Sequence, residues 1–77
     1  MLPEVDKTYR LIRHDALPAI VRVLDAGQRV ATCRVLAGGV KDASGHICTE
    51  GDTVDVRCDD FHFKPCDWER IQRDGDD

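Results

Sequence analysis

Four cysteines and three histidines in 77 residues raise metal and thiol chemistry first. Cys58-x3-His62-x3-Cys66, with His46-x-Cys48 upstream, supplies the sulfur and nitrogen ligands of a tetrahedral zinc site. The spacing is not that of a zinc ribbon, and no Cys-x2-Cys knuckle occurs. A period of two through this stretch turns Cys58 inward and His62 outward, so the two would not reach one ion. Apolar thiols filling a small core are the better account of the cysteines, because free Cys is among the most buried residue types. Zinc binding remains a second alternative, no metal ligands are assigned, and no cofactor is expected.

Nucleophilic catalysis needs a thiolate or hydroxyl within reach of a base that a third group orients. None of His14, His46 or His62 stands in a motif that would fix such geometry, and no P-loop, Gly-x-Gly-x-x-Gly or Gly-x-Ser-x-Gly occurs. The paired carboxylates Asp59-Asp60 and Asp76-Asp77 fall in a turn and a tail, where both members stay ionised. The expectation is a protein that binds and does not catalyse.

Charge supplies a stronger signal. The net charge of −4 divides into +2 over residues 1–38, with six basic and four acidic groups, and −6 over residues 39–77, with five basic and eleven acidic. An acidic half of this kind is either a solvated face or a docking face for a basic protein. The docking reading rests on Asp52, Asp55, Asp59 and Asp60. The alternative is a nucleic-acid or small-ligand patch made from Tyr9, Arg10, Arg13, Arg22, Arg34 and Trp68, although an acidic chain lacks the basic footprint that a phosphate backbone attracts.

These groups must be positioned by short strands. Val54, Val56 and Cys58 alternate with polar residues, Asp59-Asp60 intervenes, and Phe61 and Phe63 alternate in turn. The pattern predicts a hairpin with Cys58 opposite Phe61 and Val56 opposite Phe63, and with Asp55 facing Lys64 and Arg57 facing His62. Val30 to Leu36 predicts a strand that buries Ala31, Cys33 and Val35 and ends at Gly38-Gly39. Turns follow at Lys41–Gly45 and Glu50–Asp52 around a short strand from His46 to Thr49. Pro65–Glu69 suits one helical turn and Arg70–Gln72 a closing edge strand. Two readings fit residues 16–26: a strand before a turn in which Gly27 takes positive φ, or a short N-terminal helix capped by Asp15 with Leu17, Ile20, Val21 and Leu24 on one face.

The chain is short enough for one domain only, residues 1–73, with an acidic tail at 74–77. Apolar residues at 42% and charged residues at 34% fit a folded domain and not a disordered tail. Four to six short antiparallel strands at this spacing predict a mostly β fold, a small SH3-like or Sm-like barrel. No leader is visible in the opening residues. The longest apolar run, Leu17 to Val21, is far below the roughly 20 residues that cross a bilayer, so a cytoplasmic protein with reduced thiols and no membrane partner is expected. Monomer and homodimer are both open.

Gly51-Asp52-Thr53-Val54-Asp55-Val56-Arg57-Cys58-Asp59-Asp60-Phe61, together with Tyr9-x-x-Ile12-x-x-Asp15, resembles the Rof-type Rho-binding antiterminators. His14 stands where that family has a cysteine. The resemblance implies an Sm-like barrel that inhibits the transcription terminator Rho by occupying its RNA-binding surface with an acidic face. Asp15, Arg57 and Asp59 match the family's motif positions and join Asp52, Asp55 and Asp60 as expected partner contacts.

Overall fold

The computed structural model describes residues 3–14, 16–42 and 44–70. They form a mostly β fold. The strands are β1 (Thr8–Arg13), β2 (Ala16–Ala26), β3 (Val30–Ala37), β4 (Val40–Lys41), β5 (Ile47–Cys48), β6 (Thr53–Arg57) and β7 (His62–Pro65). Five make one antiparallel sheet in the order β6-β3-β2-β1-β7, and β4 and β5 make a separate two-stranded ribbon.

Residues 16–26 are a strand, as the β-branched Ile20, Val21 and Val23 favour. Alternation buries Ala19, Val21 and Val23. The helical stripe would have buried Leu17 and Leu24, which are 87% and 42% exposed. The turn after β2 also differs from expectation, since Gly27 has no positive φ. What it requires is space: a Cβ there would stand 2.9 Å from the Val30 carbonyl oxygen, to which the Gly27 N–H donates. Among the glycines, positive φ occurs at Gly38, Gly45 and Gly51; Asp6 also adopts it.

The predicted β6–β7 hairpin does not form. Both strands lie where the alternation puts them, but at opposite edges of the sheet. β6 pairs with β3, Asp55 opposite Thr32, and β7 pairs with β1, Lys64 opposite Arg10. The expected Asp55–Lys64 and Arg57–His62 pairs are therefore absent. Only residues 58–61 connect the two edges. Five flat strands would put the edges about 19 Å apart, and such a link fully extended spans roughly 16–18 Å. Part of it is a tight turn, with the Asp60 N–H on the Arg57 carbonyl at 3.1 Å. The sheet must therefore curl strongly. Register irregularities in β2, between Ile20 and Val21 and between Val23 and Asp25, supply the bend. Among the described residues no ladder joins β6 to β7.

The concave side holds the core: Tyr9 and Leu11, Ala19, Val21 and Val23, Ala31, Cys33 and Val35, Val54 and Val56, closed by Val40 and Cys48 from the ribbon. Cys58, Phe61 and Phe63 pack against it half-buried. Ile71, Gln72 and the acidic tail at 74–77 lie outside the described residues. Residues 68–70 are helical, with the Arg70 N–H on the Asp67 carboxylate at 3.1 Å. No helix among the described residues is long and apolar enough to cross a membrane.

Candidate functional site

The acidic residues of the second half divide by what they already bind. Asp42 Oδ1 accepts from the Ser44 hydroxyl at 2.7 Å and from the Ser44 and His46 N–H groups, both at 2.9 Å. These bonds, the hydroxyl's first, hold its carboxyl below the usual carboxylate range. That carboxylate serves its own turn. Asp52 accepts from the Thr49 N–H at 2.9 Å. Asp55 accepts from the Thr32 hydroxyl at 2.7 Å across the β3–β6 pair. Asp59 and Asp60 are exposed in the turn after β6.

Asp52, Asp55, Arg57, Asp59 and Asp60 thus lie along one edge strand and its flanking turns, and all five are exposed. Arg57 is the single basic residue among them. Asp15 lies outside the described residues.

The alternative patch assembles only in part. Tyr9 is 5% exposed, its ring meets Phe63 edge-on at 5.8 Å, and its hydroxyl accepts from the Glu4 N–H at 2.8 Å. It has no ring face to offer a base, because its parity along β1 is that of Leu11. Arg13 stacks over the Phe61 ring at 5.5 Å and borders a cavity of about 240 Å³ at the open end of the sheet, with Leu17 and Lys41. Arg10, Arg22 and Arg34 do share the convex face, Arg22 directly opposite Arg34 and Arg10 opposite Lys64. Trp68, half-buried, borders grooves beside Arg22 and Arg34. Those grooves also carry Asp6, Glu50, Asp67 and Glu69, so the cations there are offset by carboxylates. Lys64 was missed by sequence reasoning because its neighbour Arg10 stands 54 positions away and only the β1–β7 register unites them.

All four cysteines are free thiols, Cys33 and Cys48 buried, Cys58 and Cys66 half-buried. No three His, Cys, Asp or Glu side chains gather to hold a metal among the described residues. Burial first, then the nearby Cys58 and Asp55, pushes the Cys33 thiol from 9.0 up to about 12, so it stays protonated and inert at neutral pH. The folded state therefore holds this proton more tightly than the unfolded chain. Its contribution to stability is complete below pH 9 and is lost as pH rises toward 12. Urea midpoints at neutral and strongly alkaline pH should show a larger loss for the wild type than for Cys33→Ala. The difference midway through that window should be on the order of 2 kcal/mol.

No protein-family model, curated protein or solved structure matches this chain.

Proposed function

We propose that this chain is a non-enzymatic binding protein that acts as an inhibitor or adaptor, docking its acidic β6 edge on a basic, nucleic-acid-handling protein in the cytoplasm. The observation that carries the reading is the collection of Asp52, Asp55, Asp59 and Asp60 with Arg57 on one exposed edge. Four carboxylates along one edge, with Arg57 among them, leave it net negative, and a surface that binds nucleic acid is basic and would attract it. The strong curl of the five-stranded sheet supports an Sm-like, incompletely closed barrel, the architecture that the Rof-type resemblance implies. That resemblance makes the terminator Rho the first partner to test.

The experiment is capture from a native lysate with mass spectrometry, alongside direct binding to purified Rho. Asp55→Lys, Asp59→Lys and Asp60→Lys combined should weaken capture at least about tenfold, and wild-type capture should fall with added salt. Far-ultraviolet circular dichroism should be unchanged, since all three side chains are exposed. Equal capture by the variant, or no specific partner at all, would overturn the reading.

A further inference from the structure

The two sheet edges are not equally protected. The antiparallel ladder alternates which residues turn their backbone groups toward a neighbour. In β6 the phase is set at its ends, where the Val35 N–H donates to the Asp52 carbonyl and the Cys58 N–H donates to the Arg29 carbonyl. Val54 and Val56 therefore bond to β3; Thr53 and Asp55 turn N–H and C=O to the open side, and Arg57 turns its N–H there, while its carbonyl accepts from the Asp60 N–H. In β7 the Cys66 N–H donates to the Thr8 carbonyl at 3.2 Å, which leaves the backbone nitrogens of Phe63 and Pro65 outward. Pro65 has no N–H to give, so β7 offers a neighbour little to pair with. β6 has no proline, no lysine and no register irregularity against β3.

We infer that two copies of this chain pair through β6, antiparallel, across a two-fold axis at Val56. Only certain registers let the outward groups of Thr53, Asp55 and Arg57 meet their counterparts. Centring the axis on Asp55 puts like charges face to face, which is unfavourable. Centring it on Val56 sets Asp55 of each copy opposite Arg57 of the other, giving two ion pairs and two backbone bonds from the Arg57 N–H groups to the Asp55 carbonyls; the like-charged Asp52 and Asp60 that this register also opposes lie beyond the ends of the strand. Like charges along a protected edge would repel a second copy; here the order Asp-x-Arg makes the strand complementary to itself. The joined sheets would run continuously through both copies.

This inference goes beyond the proposed partner and does not depend on it, because the test uses the pure protein. Sedimentation over a wide concentration range should give a monomer–dimer equilibrium for the wild type. Asp55→Arg and Arg57→Asp should each raise the dissociation constant roughly tenfold or more, by placing like charges opposite one another. The double exchange Asp55→Arg with Arg57→Asp restores both ion pairs in reversed sense and should return the constant to within a few fold of wild type. Arg57→Pro, which removes an outward N–H and leaves the bonds to β3 intact, should be monomeric with an unchanged far-ultraviolet spectrum. A wild type that is monomeric throughout, or a double exchange no better than the single reversals, would overturn the inference. Both readings use the β6 edge, so capture is measured at concentrations below the dimer dissociation constant; failure there with dimerisation intact would count only against the proposed function.

Discussion

Replacing Leu11 by alanine should destabilise the fold by about 2–5 kcal/mol, read as a lower urea midpoint at an unchanged slope. Leu11 is 2% exposed and is the largest of the fully buried side chains; the core around it is otherwise mostly Val, Ala and Cys. Such a core has no second large aliphatic group to move into the space. A chain of this length is expected to have roughly 4–12 kcal/mol in total, so one truncation removes a substantial share. Leu11 also borders the cavity of about 240 Å³ at the open end of the sheet. The vacated volume would join that cavity, and the cost should fall in the lower half of the range. Leu11→Met, which conserves volume, should cost less than about 1.5 kcal/mol.

Gly38→Ala should cost about 2–3 kcal/mol, and Gly51→Ala about 1–2 kcal/mol. Both glycines have positive φ, +80° and +92°, so the conformational penalty is shared. Their surroundings differ. A Cβ at Gly38 would stand 3.1 Å from the Pro18 carbonyl oxygen and 3.2 Å from the Ala19 Cα, whereas one at Gly51 would meet nothing within 4 Å. The corner between β3 and β4 lies directly against the start of β2, and backbone atoms there have nowhere to go. Chemical denaturation of the two variants separates close approach from dihedral strain, and equal costs would show that the approach is not tight.

The strands were legible in the sequence because alternation reports which face a residue takes. That is why Val54, Val56, Ala31, Cys33 and Val35 were assignable to the core, and why Tyr9, at the parity of Leu11, could have been. Alternation does not report a partner. Pairing Val54–Cys58 with Phe61–Lys64 satisfied every parity and charge test, yet any register of the same parity with another strand would have passed as well. Neighbouring strands joined by a short link usually pair. Here the sheet curls far enough for the same link to cross from one edge to the other, and curvature arises from irregularities in β2 that no local pattern announces. The carboxylates were visible as an acidic half of the chain. Their collection on an edge was not, because Thr53–Arg57 reads the same whether one side of the strand is bonded or two.

The pairing of β1 with β7 also bears on how the chain reaches this state. β1, β2 and β3 are joined by short turns and can zip up as successive hairpins. β7 must then find β1, with Ile12 meeting His62 fifty positions later. Closing a loop of that length carries an entropic cost that is met before any contact rewards it. Much of that cost is met when β6 joins β3, because the link of residues 58–61 then holds β7 within reach of β1; lengthening the link should loosen the hold of the last strand on the first.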